Sequence, residues 1–142
     1  MSSFTKKYND EEMNAALGAL LIGGERLETG IYCLFKETGF FANNRRIITG
    51  YAGITDMGRF VCCRYGVIND MASAYNMEDI VQIKIKSMLF GQKMITLVFN
   101  DGKKHTVKFQ LAAKAVSSKL PNQERNAEKM LEILEAKQNK LS

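Results

Sequence analysis

Several residue types that carry chemistry are scarce in this 142-residue chain: one histidine, three cysteines, one proline and no tryptophan. The cysteines, Cys33, Cys62 and Cys63, are odd in number, two are adjacent, and no CxxC spacing occurs. That excludes a disulfide framework and a cysteine-based zinc site, and it predicts buried thiols in a reducing compartment. The single histidine, His105, follows a turn, is read as having no cysteine or carboxylate at ligand spacing, and is expected to be a solvated strand residue, not a base or metal ligand. The longest apolar run, residues 15–22, is far short of the roughly 20 residues that span a bilayer. No apolar segment of the secretory type follows the first residues, where Asp10, Glu11 and Glu12 come instead. A soluble cytoplasmic protein is expected. No GxGxxG, phosphate-loop, GxSxG or HExxH pattern is present. Glu78 and Asp79 are sequence neighbours at a strand entry, so their side chains diverge and cannot share acid–base work. The chain is therefore expected not to be an enzyme and to need no cofactor or metal.

The length sets one domain as the default. A globular chain of this size buries about 68–70% of its unfolded surface, so no covalent staple is needed. The net charge of +5 is uneven. Residues 1–40 hold 4 basic and 6 acidic groups, residues 41–120 hold 12 and 5, and residues 121–142 hold 4 and 4. The basic excess sits in the central segment. It suits an acidic partner, or it serves solubility and protects strand edges. Nucleic acid is not expected, because no aromatic–basic reading module is present.

Hydrophobic periodicity divides the chain into three parts. Asn9, with Glu12 three residues on, forms a capping pattern. Met13, Ala16, Leu17, Leu20 and Leu21 then repeat at helical spacing until Gly23-Gly24. From 29 to 111 the chain reads as strands: 29–35, 47–55, 60–65, a weaker one near 71–75, then three with strict alternation. In those three, Val81, Ile83 and Ile85, then Ile95, Leu97 and Phe99, then Val107, Phe109 and Leu111 form the apolar face. Lys84, Lys86 and Lys108 fall on the opposite face. Gly50 and Gly53 predict a bulge or sharp coil in the second strand. Asp56-Met57-Gly58 and Asn100-Asp101-Gly102 are turns, the latter because Asp-Gly tolerates positive φ. Residues 112–120 read as a loop with a short helical turn. Pro121 then opens a last helix with an apolar stripe of Ala127, Met130, Leu131 and Leu134.

About seven strands followed by one helix is the order of the pleckstrin-homology (PH) superfold. Short motifs carry a further resemblance to bacterial PH-like and GRAM-like domains. Gly24-Glu25-Arg26-Leu27 resembles their entry to the first strand. The segment Gly53-Ile54-Thr55-Asp56-Met57-Gly58-Arg59-Phe60-Val61 resembles their second hairpin, and Asn76-Met77-Glu78-Asp79-Ile80-Val81-Gln82-Ile83 their fourth-to-fifth strand junction. The resemblance implies a mainly β (α+β) fold: a partly open barrel of about seven antiparallel strands capped by a C-terminal helix. The N-terminal helix lies outside the shared pattern, so the chain divides into a tail and helix, 1–23, and a PH-like domain, 24–142. Lipid-binding members of the family use the loop between the first two strands. Here that loop holds Lys36 and ends in Arg45-Arg46-Ile47 instead of the usual Arg-x-Arg.

Two stretches stand out as candidate binding sites. In residues 36–46, Phe40 and Phe41 beside Arg45 and Arg46 either wedge into a bilayer while the guanidiniums hold phosphates, or close the barrel end, or meet another protein. Met88-Leu89-Phe90-Gly91 is unusually apolar for a strand connection and either covers the barrel end or forms a contact patch. The expected function is a non-enzymatic PH-like binding module acting through protein contacts, self-association included. The alternative is peripheral binding of anionic lipid headgroups. The residues assigned to ligand or partner binding are Lys36, Phe40, Phe41, Arg45, Arg46, Lys84, Lys86 and Lys108.

Overall fold

A computed structural model describes residues 8–38, 45–65, 70–111 and 120–141. The order is α1 (Asp10–Gly18), β1 (Leu27–Thr38), β2 (Arg45–Thr55), β3 (Arg59–Tyr65), β4 (Asp70–Asn76), β5 (Ile80–Ser87), β6 (Lys93–Asn100), β7 (Lys104–Leu111) and α2 (Gln123–Leu141). The seven strands make one antiparallel sheet in the order β4-β3-β2-β1-β7-β6-β5, so β4 and β5 are its edges. The expected seven strands and two helices are all present. The segment expected to carry a helical turn, 112–119, lies outside the described residues.

Period two decides what is inside. Ile31, Cys33 and Phe35 of β1, Ala52 and Ile54 of β2, and Phe60 and Cys62 of β3 face the same core as Ile95, Leu97 and Phe99 of β6 and Val107, Phe109 and Leu111 of β7. Helix α2 closes this core with Ala127, Met130 and Leu134. Its first turn is tied to β1. Gln123 accepts from the Tyr32 N–H at 3.0 Å and donates to the Tyr32 carbonyl at 2.9 Å, while the Thr29 hydroxyl donates to the Asn126 carbonyl.

A second, smaller core lies on the other face of the sheet. Tyr51, Val61, Cys63 and Tyr65 point outward from β2 and β3 and are buried under Met13 and Leu17 of α1. Tyr8 and Tyr32 complete a ring cluster around Tyr51, with centroids 4.7–6.4 Å apart. The Tyr8 and Thr49 hydroxyls are hydrogen bonded. Helix α1 is capped by Asn9, whose Oδ1 accepts the Glu12 N–H at 2.7 Å, as its sequence predicts. It ends at Gly18, however, well before Gly23-Gly24. Glycine in a helix interior costs about 1 kcal/mol, and a nine-residue helix has little to set against that.

Three strand details correct the sequence reading. Gly50 and Gly53 lie in continuous register with both neighbours, so β2 has no bulge there. Gly50 serves close approach instead: a Cβ at this position would lie 1.9 Å from the Cys63 carbonyl oxygen. The register breaks fall between Leu27 and Thr29 and between Ile80 and Gln82. The second break turns Val81 out to solvent, 54% exposed, and puts Ile80 into the core in its place. Lastly, Met94 and Val98 are buried although they lie on the outward side of β6.

Candidate binding surface

The outer face of β5–β7 is built by strand register. Lys84 on β5 pairs with Thr96 on β6, and Thr96 pairs with Lys108 on β7. The next row is Lys86, Met94 and Gln110. All three lysines are exposed, so the outward placement expected of them is met. At the end of these rows the Gln110 and Gln92 side chains are hydrogen bonded, and Lys93 Nζ donates to the Ser87 hydroxyl at 2.8 Å.

Between β5 and β6 the chain reverses through Met88-Leu89-Phe90-Gly91-Gln92. The Met88 N–H donates to the Gln92 carbonyl at 2.8 Å, and the Gln92 N–H donates to the Leu89 carbonyl at 3.4 Å. Phe90 has φ 62° and Gly91 φ 74°. Two left-handed central residues are the signature of the hairpin turn that normally selects Asn-Gly or Asp-Gly. Phenylalanine stands where asparagine is favoured. Phe90 is the one described non-glycine residue with positive φ, and that conformation costs an L-residue about 1–2 kcal/mol. Nothing is gained by packing in return: Phe90 is 94% exposed and Leu89 78%. Of the two sequence readings of this turn, cover for the barrel end and exposed patch, the structure has the exposed patch.

The residues expected around the first hairpin fare differently. Phe40 and Phe41 lie outside the described residues. Arg45 and Arg46 belong to β2, with backbones paired to Thr38 and Glu37, so the strands reach further into 36–46 than the sequence suggested. Lys36 is half-buried and paired with Ile47. Lys36, Arg45 and Arg46 are thus on the ends of β1 and β2, while Lys84, Lys86 and Lys108 share one face of β5–β7.

Elsewhere the titratable groups serve structure. Glu25, its side chain fully buried, accepts from Arg59 Nε at 3.0 Å and Arg59 Nη2 at 2.7 Å, and from the Thr55 hydroxyl at 2.6 Å. Arg59 Nη2 also donates to the Leu20 carbonyl at 2.7 Å. The guanidinium holds the Glu25 carboxyl down to about 2, and the carboxylate raises Arg59 in turn. This pair fastens the α1–β1 connection to the β2–β3 hairpin. Burial pushes the Cys62 thiol up to about 11, and Cys33, Tyr51 and Tyr65 upward as well. That is opposite to the activation a nucleophile needs. Among the described residues no cluster of three His, Cys, Asp or Glu could hold a metal, and no helix is long and apolar enough to cross a membrane. His105 has a neighbour that its sequence context did not suggest: Nε2 lies 3.3 Å from Asp101 Oδ1. A cavity of about 280 Å³ lined by Met57, Gly58, Asn76, Met77, Glu78 and Lys137 is below the usual range for a ligand pocket.

Sequence reasoning noted the apolar turn but did not place Leu89 and Phe90 among the site residues. The signal was available: an apolar pair directly before glycine, in a hairpin position that ordinarily takes polar residues.

No family model matches the chain, and no curated protein matches it. Among solved structures it is similar to the hSac2 domain from human phosphoinositide phosphatase Sac2, with a TM-score of 0.56 at 14% sequence identity. The likeness covers 93% of this chain and 82% of that one. Identity this low carries architecture alone: the chain has the expected PH-like fold, and its N-terminal helix, whose place the sequence left open, packs on the outer face of the sheet.

Proposed function

We propose that this chain is a non-enzymatic binding module that docks on an anionic membrane surface through the β5–β6 turn. Leu89 and Phe90 enter the bilayer interface, and Lys84, Lys86 and Lys108 hold headgroup phosphates. The observation that carries this reading is Phe90, held at φ 62° and 94% exposed. Strain of this kind persists where it is part of a mechanism. Burying a side chain of this size gains about 1.5–3 kcal/mol, and each lysine near an anionic leaflet adds about 1 kcal/mol. The apolar tip and the basic face together suit a surface that is oily beneath and negative above.

A hydrophobic pocket on a protein would take Leu89 and Phe90 as well, as in the protein-contact reading of the sequence. The lysine rows favour the membrane. The test is co-sedimentation with vesicles of phosphatidylcholine alone or mixed with phosphatidylserine, at low and high salt. Binding to the mixed vesicles that weakens with salt, and is lost in Leu89→Ser/Phe90→Ser, is expected. No binding at low salt would overturn the reading. An Arg45→Glu/Arg46→Glu variant separates this surface from the family's usual loop: loss there, with Leu89→Ser/Phe90→Ser unaffected, moves the site to residues 36–46.

A further inference from the structure

The two edges of the sheet are defended differently. The β5 edge carries Lys84 and Lys86, breaks register at Val81, and has its Ile83 carbonyl occupied by Nε2 of Gln138 from α2 at 2.9 Å. Charge, irregularity and cover are the usual devices against edge-to-edge pairing. The β4 edge, Asp70-Met71-Ala72-Ser73-Ala74-Tyr75-Asn76, has neither a lysine nor a register break. It contains no proline or lysine, and its register with β3 is unbroken from Tyr65–Asp70 to Arg59–Asn76. Its only charge is Asp70 at the start. Among the described residues no strand pairs with its other side. Met71 is 50% exposed, and Ala72 and Ala74 are exposed. Such a strand offers a row of backbone donors and acceptors to any extended chain.

The strand is also complementary to itself when reversed. An antiparallel pairing about Ser73 sets Ser73 against Ser73, Ala72 against Ala74, Met71 against Tyr75 and Asp70 against Asn76. It is the only self-pairing axis that uses all seven residues. The one charge then faces an amide instead of its own copy, so no like charges oppose. The Met71 thioether falls beside the Tyr75 ring, which is already held by stacking on Phe99 at 4.6 Å. Ala72 and Ala74 follow Cys63 and Val61 on the outer face, where small side chains leave room for a second chain.

We infer that β4 pairs with the β4 of a second copy about a two-fold axis at Ser73, joining two seven-stranded sheets into one. The contact is isologous and closes on itself, so it gives a dimer and not a fibre. It uses no residue of the β5–β6 turn and is independent of the membrane reading.

Sedimentation of the full chain over a concentration series tests this, with two double variants at exposed positions. In the proposed register residue 72 faces residue 74 of the other copy. Ala72→Lys/Ala74→Lys therefore sets lysine against lysine twice and weakens the dimer roughly tenfold or more. Ala72→Lys/Ala74→Glu adds as much bulk but sets lysine against glutamate twice, and it keeps the dimer. A wild-type chain that is monomeric at every concentration overturns the inference, however the variants behave. A dimer unaffected by either variant overturns it too, because the contact then lies elsewhere. Equal weakening by both variants excludes pairing about Ser73 and so overturns the inference.

Discussion

Two turns close the β5–β6–β7 meander, and their chemistry is opposite. The β6–β7 turn satisfies itself. Asn100 Oδ1 accepts the Gly102 N–H and Asp101 Oδ1 accepts the Lys103 N–H, each at 3.1 Å, while glycine takes the φ of 110°. The β5–β6 turn puts phenylalanine at φ 62° and leaves two large apolar side chains in water. Both reverse an antiparallel hairpin, and the polar solution was available to both. A turn that departs from it at two successive residues gives up stability in the free chain, which the docking proposed above would offset.

The largest effect is expected from removing the apolar tip. Leu89→Ser/Phe90→Ser should lower affinity for phosphatidylserine vesicles by at least about tenfold, given about 1.5–3 kcal/mol for burying each such side chain. Lys103→Ser/Lys104→Ser on the other turn should leave vesicle affinity unchanged. Equal losses in the two variants would show that both turns contact the vesicle and that the difference between them does not decide docking. A smaller effect, of opposite sign in the two turns, is expected on folding. Phe90→Asn places a residue suited to left-handed backbone and should raise unfolding stability by about 1 kcal/mol. Gly102→Ala should lower it by about the same amount. Urea unfolding of both variants checks this, and a destabilised Phe90→Asn would show that the phenylalanine is not strained.

The smallest effect depends on pH. The Lys103 N–H, and after it His105, holds the Asp101 carboxyl below its ordinary value. A carboxyl lowered in the folded state contributes stability above its unfolded pKa and loses it as pH falls through the folded one. Protection of the Lys103 amide, which donates to Asp101 Oδ1, should therefore fall as pH drops through and below the ordinary carboxylate range. The Gln92 amide, which donates to the Leu89 carbonyl in a turn with no titratable side chain, should keep its protection over the same range. Amide exchange corrected for intrinsic rates measures both.

Much of the fold was legible because strands such as β6 and β7 bury one face in the core. Ile95, Leu97 and Phe99, like Val107, Phe109 and Leu111, announce strand, face and register together. Asp-Gly at 101–102 and the lone proline before α2 marked a turn and a helix entry by backbone restriction alone. Period two put Val81 inward with Ile83 and Ile85, and the structure reverses this, because Ile80 and Val81 are both β-branched and the pattern does not say which of them a bulge expels. The outer cluster was hidden for another reason. Tyr51, Val61, Cys63 and Tyr65 alternate with inward residues that are apolar too, so β2 and β3 read as apolar on both faces without naming the cover. Glu25 and Arg59 lie 34 residues apart, and no local pattern joins them. At the candidate site the lysines were found by alternation. The state of Leu89 and Phe90 depended on whether anything packs over that turn, which is a tertiary fact.

The contact between α1 and the sheet has a practical use. Cys63 lies beneath that helix, its Sγ donating to the Ala16 carbonyl at 3.5 Å, whereas Cys33 and Cys62 face the barrel interior. An alkylating reagent in solution therefore meets the sulfur of Cys63 only in molecules whose N-terminal helix has lifted, and meets the other two only when the barrel itself opens. The rate at which one thiol is lost before the remaining pair would time the undocking of a single helix against unfolding of the whole, with no label added to the chain.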